Sequence, residues 1–139
     1  MKTVMIFGTF DILHYGHFHL FHEARKLGDR VIAVVGRDKN VRYVKGVKPF
    51  HNEKERAAIL SHINLIDEVV LGDSKDVYKV IRKFRPDIIA LGYDQKAYVD
   101  GLRIALKELQ LPTKIVRLKS FGARKYKTGK IKKFLSRMI

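Results

Sequence analysis

The sequence predicts an open α/β fold, a five-stranded parallel sheet with helices on both faces joined by right-handed crossovers. Three observations lead there. Short apolar runs of strand length at Thr3–Phe7, Val31–Val35, Glu68–Leu71, Asp87–Leu91 and Lys114–Leu118 alternate with segments whose apolar residues recur at helical spacing. Most of these runs end on a glycine with an acid close behind, as in Gly8 to Asp11, Gly36-Arg37-Asp38, Gly72-Asp73 and Gly92-Tyr93-Asp94. In such sheets ligands bind beyond the carboxyl ends of the strands. Finally, 139 residues suit a single domain, 1–139, ending in a basic loop and helix at about 119–139.

Thr3–Phe7 opens the sheet, and roughly His17–Leu27 is the first helix, with Leu20, Phe21, Ala24 and Leu27 on one side and Gly28 as its stop. Val31–Val35 is apolar throughout, as in a strand covered on both faces. In the Gly36-Arg37-Asp38 turn, Arg37 and Asp38 either face the ligand crevice or, for Asp38, serve as a turn or cap acid. From Lys39 to Asn52 no period is convincing, so this reads as a long loop carrying Lys45-Gly46-Val47-Lys48-Pro49. Asn52 is placed to cap a helix from about Glu53, with Ala57, Ile59, Leu60 and Ile63 as its apolar content. Ser74 is placed to cap the next, where Val77, Val80, Ile81 and Phe84 precede Pro86. A helix carrying Leu102, Ala105, Leu106 and Leu109 is broken by Leu111-Pro112 before the last strand. Ser120 to Tyr126 is a basic loop, and Thr128 caps a final helix with Ile131, Phe134, Leu135 and Met138.

The densest chemistry lies in Gly8-Thr9-Phe10-Asp11-Ile12-Leu13-His14-Tyr15-Gly16-His17, fed directly by the first strand. Gly8 removes a Cβ where backbone would approach a ligand, Thr9 adds a hydroxyl and an N–H, and a helix start adds amides and positive dipole. His14 and His17 are neighbours on one helical face, bracketing Gly16, and suit hydrogen bonds to a phosphate gaining charge. Two plainer readings stand beside this one: ordinary surface or core histidines, and a metal site drawn from His14, His17, His19 and His22. No cysteine is present to assist the latter.

This stretch resembles the HxGH nucleotidyltransferases, and particularly the cytidylyltransferase-like branch with the signature GTFDxLHxGH, shared by glycerol-3-phosphate cytidylyltransferases and archaeal FAD synthases. Tyr15 stands where proline or tryptophan is common. The resemblance runs nearly the whole chain and implies a Rossmann-like sheet of spatial order 3-2-1-4-5. It implies nucleotide contacts from Gly8, Thr9, Phe10, Asp11, His14, Tyr15, Gly16 and His17. It also implies phosphate contact from either Lys45 or Lys48, support from Arg56 within Asn52–Arg56, and ribose or base contact from the loop holding Gly92 and Asp94. The family's Arg-Thr-x-Gly-Ile-Ser-Thr motif is matched only in its last part by Lys127-Thr128-Gly129-Lys130-Ile131. Lys119 and Ser120 stand in for the rest, a departure that tilts the expected nucleotide away from CTP. Leu91-Gly92-Tyr93-Asp94-Gln95 is most similar to archaeal FAD synthases, which transfer AMP from ATP to FMN.

The implied reaction is therefore nucleotidyl transfer to a phosphorylated acceptor with release of pyrophosphate, most simply AMP from ATP to FMN. CTP with glycerol 3-phosphate is the alternative. His14, His17 and Lys45 or Lys48 are the expected catalytic groups, and Mg²⁺ is expected to be bound mainly through nucleotide phosphates. A reading of another class is a non-catalytic nucleic-acid binder. The net charge is +15, and after Glu108 ten lysines and arginines follow with no acid. Phe121, Tyr126 and Phe134 are available there for stacking. The same charge also suits a triphosphate, and an intact His-x-Gly-His has no use in a binder. No apolar run approaches a membrane span and there are no cysteines, so a cytoplasmic protein without disulfides, and possible homodimers as in relatives, are the remaining expectations.

Overall fold

The computed structural model describes residues 1–119 and 128–138, the side chain of Thr128 excepted. The chain runs β1 (Thr3–Gly8), α1 (Tyr15–Leu27), β2 (Arg30–Val35), α2 (Asp38–Lys45), α3 (Glu53–Leu60) and β3 (Glu68–Leu71). It continues through α4 (Lys79–Phe84), β4 (Ile88–Leu91), α5 (Val99–Glu108), β5 (Lys114–Arg117) and α6 (Thr128–Ser136). The strands pair in parallel in the order β3-β2-β1-β4-β5, as the resemblance implies. β1 is central, in register with β2 from Thr3↔Arg30 to Gly8↔Val35 and with β4 from Val4↔Ile88 to Ile6↔Ala90. The chain steps outward on one side and then crosses back to β4, so the strand order reverses beside β1. A crevice forms at such a switch point.

Strand alternation divides the core in two. Val4 and Ile6 meet Phe21 and Ala24 of α1 and Leu60 of α3, whereas Met5, Ile32 and Ile89 meet Ile81 of α4 and Leu102 and Leu106 of α5. Burying each such large side chain is worth about 1.5–3 kcal/mol, which is why the central strands are apolar on both faces. Edge strand β5 is short, with Lys114 and Arg117 exposed at its ends, which discourages pairing with a further sheet.

Several local expectations are corrected. The stretch from Lys39 to Asn52 is not irregular throughout, since α2 occupies its first half. Val41 is the one buried residue of α2, so no apolar repeat marks it. Its ends do. Asp38 lies in the first turn and Lys45 in the last, and Gly46, at φ 75°, closes it with an N–H to the Arg42 carbonyl at 2.8 Å.

Helix α1 starts two residues earlier than expected, because His14 itself caps it. Gly28 does end α1, but in extended conformation rather than as a left-handed stop. A Cβ there would stand 2.7 Å from the Lys2 carbonyl oxygen. α3 has the expected Asn52 cap, with Asn52 Oδ1 accepting from the Glu55 N–H at 2.9 Å, yet it ends at Leu60 and leaves Ile63 beyond it.

Ser74 caps nothing. Asp73 takes the N–H groups of Lys75 and Asp76 in a turn, and α4 starts only at Lys79. Phe134 and Leu135 of α6, and Met138 beyond its end, are exposed. The expected loop with Ser120, Phe121 and Tyr126 lies outside the described residues.

Candidate active site

A cleft of about 730 Å³ opens at the carboxyl ends of the strands. That volume lies in the upper part of the range for small-molecule sites, about 300–1,000 Å³. Gly8 at the end of β1, Thr9, Phe10 and Asp11 in the loop after it and His17 in α1 line it, with Lys45 and Lys48 from the end of α2 and beyond. Gly92 and Asp94 line it from the loop after β4, and Lys132 from α6.

The loop after β1 is built around Phe10. Its backbone is left-handed at φ 52°, a conformation costing about 1–3 kcal/mol outside glycine. The turn folds the ring back over Gly8, where an added Cβ would stand 2.7 Å from Phe10 Cζ. Gly8, which also lines the cleft, thus makes room for Phe10. The ring is buried and lies against His17 and Phe21, with centroids at 5.9 and 5.6 Å.

On this bed the two histidines form a reciprocal helix cap. His14 Nδ1 accepts the Gly16 N–H and His17 Nδ1 accepts the His14 N–H, each at 3.1 Å, and the rings lie 3.9 Å apart. Because a backbone N–H can only donate, both Nδ1 atoms are acceptors. A neutral ring then carries its proton on Nε2. The pair therefore presents two Nε2–H donors from one helix start.

Burial, then the charge of Lys45 and of His14 when it is protonated, lower the His17 pKa to about 3, and burial lowers that of His14. Both rings are neutral near pH 7. In the unfolded chain His17 takes a proton as pH falls through about 6.5, whereas the folded ring resists until about 3, so acid destabilises the fold across that window. Unfolding in denaturant at pH 7 and pH 4.5 should show His17→Gln losing about 2 kcal/mol less than the wild type between the two.

Asp11, expected at the nucleotide, has a framework role. Its carboxylate accepts the N–H groups of Phe50 at 2.7 Å and His51 at 2.9 Å, and the Lys132 ammonium lies at 3.3 Å. Burial opposes ionisation, but these donors outweigh it and hold the carboxyl below the usual aspartate range. Arg56 is fully buried and ties three segments together. Nε donates to the His51 carbonyl at 3.0 Å, one Nη to the Thr9 carbonyl at 2.8 Å and the other to Asp38 at 2.7 Å. Asp38 thus neither lines the cleft nor caps α2, its carboxylate being taken by Arg56, while Arg37 lines the cleft, paired with Glu53 at 2.6 Å.

Both candidate lysines, Lys45 and Lys48, reach the cleft, and the surroundings of Lys45 shift its charge. Loss of solvation in the cleft lowers its pKa, Asp11 and Asp94 act to raise it, and Lys132 and Arg56 act to lower it. Lys48 lines the same cleft.

Across the cleft, Gln95 donates to the Phe7 carbonyl at 3.3 Å and Arg117 to the Gly92 carbonyl at 2.9 Å and that of Gln95. These bonds fix the loop holding Asp94. Nothing lies within 4 Å of the place a Cβ would take at Gly92. Gly92→Ala should therefore keep the wild-type melting temperature while raising the KM of one substrate on the order of tenfold, read by steady-state kinetics.

His14, Tyr15, Gly16 and Lys119 are not on the cleft wall. His14 and Gly16 stand beside it in the cap, Tyr15 is 65% exposed, and Lys119 is exposed. Thr128 opens α6, its side chain outside the described residues. The sequence reading missed Lys132, Arg117 and Gln95. No local pattern marks them, because each acts on a segment distant in the chain.

Imidazole donors and lysines gathered at the switch point of a doubly wound sheet suit the handling of a phosphate undergoing substitution, and the chain is a nucleotidyltransferase. It belongs to the cytidylyltransferase-like family, whose model matches residues 5–134. An FAD synthase from Ferroglobus placidus is 41% identical over 120 residues, covering 86% of this chain and 78% of that protein. One from Thermoplasma volcanium is 37% identical over 139 residues, covering 100% and 97%.

Among solved structures, a lipopolysaccharide core biosynthesis protein from Thermoplasma volcanium GSS1 superposes with a TM-score of 0.82 at 40% identity, covering 87% of this chain and 98% of that one. A pantoate-beta-alanine ligase from Francisella tularensis, at 15% identity and a TM-score of 0.57 over 94% and 67% of the two chains, shares the fold.

Proposed function

We propose that this nucleotidyltransferase joins AMP from ATP to FMN, giving FAD and pyrophosphate. The observation that carries the proposal is the histidine pair whose Nδ1 atoms are both taken by backbone N–H groups, beside a lysine-lined cleft. The FAD synthases among its relatives supply the substrate pair.

An oxygen of the FMN phosphate, already ionised near neutral pH, attacks the α-phosphorus of ATP. The new P–O bond forms as the bond to the bridging oxygen breaks, and pyrophosphate leaves with that electron pair. The nucleophile needs no strong base, so catalysis rests on positioning and charge. His14 and His17 donate from Nε2 to the α-phosphate as its charge grows, and Lys45 neutralises phosphate charge.

The residues present fit Mg²⁺ held chiefly by the substrates. Asp94 brings a carboxylate to the cleft, beside which an ion held by phosphates would be accommodated. When bound, the ion offsets phosphate charge. The cytoplasmic setting and the homodimer expected from the sequence belong to the same proposal. Among the described residues no helix is long and apolar enough to cross a membrane.

A pyrophosphate-release assay with Mg²⁺, crossing ATP and CTP with FMN and glycerol 3-phosphate, tests this directly. Release with ATP plus FMN alone is expected. It should fall about a hundredfold in Lys45→Ala and much less in Lys48→Ala. Release with CTP plus glycerol 3-phosphate instead would retain the chemistry and overturn the acceptor.

A further inference from the structure

A second, smaller cavity of about 60 Å³ opens beside the end of β4. Phe7, Val77, Ala97 and Tyr98 line both it and the cleft, so it is a recess of the cleft rather than a separate void. Ile81, Leu91, Val99 and Leu102 complete its wall. Two polar side chains also reach it, and both are turned onto backbone. Gln95 donates to the Phe7 carbonyl and accepts the Gly92 N–H, each at 3.3 Å. The Tyr78 hydroxyl donates to the Tyr98 carbonyl at 2.7 Å. A polar group entering such a recess would lose water and gain little in return, whereas an apolar one is favoured.

The shape of the recess depends on one strained residue. Tyr98 stands just before α5 in left-handed conformation, at φ 64°, which is unfavourable for any residue with a side chain. The bond from Tyr78 holds it there. Gly101 of α5 gives the hydroxyl its place, since a Cβ at that position would stand 2.2 Å from Tyr78 Oη. The recess is too small for a whole base or flavin, but it has room for one edge of a ring. Adenine, cytosine and glycerol 3-phosphate carry no methyl group. The benzenoid edge of a flavin carries two, with no polar atom beside them.

We infer that this recess seats the dimethyl edge of the acceptor's flavin ring, and that Tyr78 is a positioning residue which keeps the recess open through Tyr98. The inference rests on FMN as the acceptor. It makes the apolar edge of the ring, rather than the phosphate, the part by which a flavin is told from other phosphorylated acceptors.

The test compares FMN with the FMN analogue that lacks both ring methyl groups, in the wild type, Ala97→Leu, Tyr78→Phe and Gly101→Ala. FAD formation gives kcat/KM, and quenching of flavin fluorescence gives binding without ATP. Melting temperatures monitor folding. The wild type should favour FMN about tenfold or more, the discrimination that methyl groups supply in an apolar pocket. Ala97→Leu adds bulk at the shared rim and should raise the KM for FMN about tenfold, abolish the preference and leave the KM for ATP unchanged. Tyr78→Phe should weaken the preference with kcat nearly kept, and Gly101→Ala, which displaces the same hydroxyl, should reproduce that effect.

Equal use of the two flavins by the wild type would overturn the inference while FAD formation itself stands. A preference for FMN that survives intact in both Ala97→Leu and Tyr78→Phe would overturn it too, because the methyl groups would then be recognised elsewhere. General loosening of the fold affects both flavins alike and leaves their ratio in place, so a merely structural role for Tyr78 gives that same result. If the wild type neither binds nor adenylylates FMN, the acceptor reading falls and this inference falls with it.

Discussion

Replacing His17 by alanine should lower kcat about a hundredfold, corresponding to about 3 kcal/mol of lost transition-state stabilisation, with little change in KM. The ring is neutral near pH 7, and its Nδ1 is occupied by the His14 N–H, so Nε2–H is the atom left to act on substrate. A donor aimed at the α-phosphate matters most when that phosphorus is five-coordinate, which is why the loss falls on kcat. Two further variants separate donation from helix capping. The side-chain amide of His17→Gln reaches toward the Nε2 position and should recover part of the rate, whereas His17→Asn reaches only the Nδ1 position and should not. Equal activity of the two, each following the melting temperature, would assign His17 a capping role alone.

Arg56→Met should destabilise the fold by about 3–5 kcal/mol, measured by urea unfolding. The guanidinium is fully buried, and its removal leaves the Thr9 and His51 carbonyls and the Asp38 carboxylate without their common donor. Against a typical total of about 5–15 kcal/mol, that loss is large. Lysine should not rescue it, because one ammonium cannot reproduce a planar fork of donors aimed at three segments. Arg56 is fully buried and does not line the cleft, so it is a positioning residue. Near the melting point, kcat/KM should therefore fall with the folded fraction. At low temperature, where Arg56→Met is folded, a residual loss would report displacement of Thr9 and of the helix carrying Lys45. A variant as stable as the wild type would show that the three segments hold one another without it.

Much of the architecture is legible from local pattern. The apolar runs at Val4–Phe7 and Val31–Val35 have the length and continuity of strands buried on both faces, and Phe21, Ala24, Leu102 and Leu106 fall at the spacing of helices lying on a sheet. The Asn52 cap could be read because a capping box is completed within four residues. Helix α2 was illegible for the opposite reason. With Val41 as its one buried residue, it has no apolar stripe, and only its charged ends and Gly46 identify it. Gly8 was legible as a position of close approach, but not what approaches. Phe10 reaches it through a left-handed turn that no residue preference would have suggested.

The candidate site divides along the same line. The order of residues from Gly8 to His17 is enough to place two histidines at a helix start after a strand, because everything needed lies within one strand, one turn and one helix cap. Tertiary structure alone brought Lys45 and Lys48 to one cleft, turned Asp11 toward backbone 39 and 40 residues away, and set Lys132, 121 residues away in the chain, beside that carboxylate. Periodicity records which face of an element is buried, since burial repeats with the geometry of that element. It carries no record of which charged side chains meet across a cleft. Those pairings depend on how far each helix extends and how it is rotated on the sheet, and both are set by packing among residues far apart in the chain.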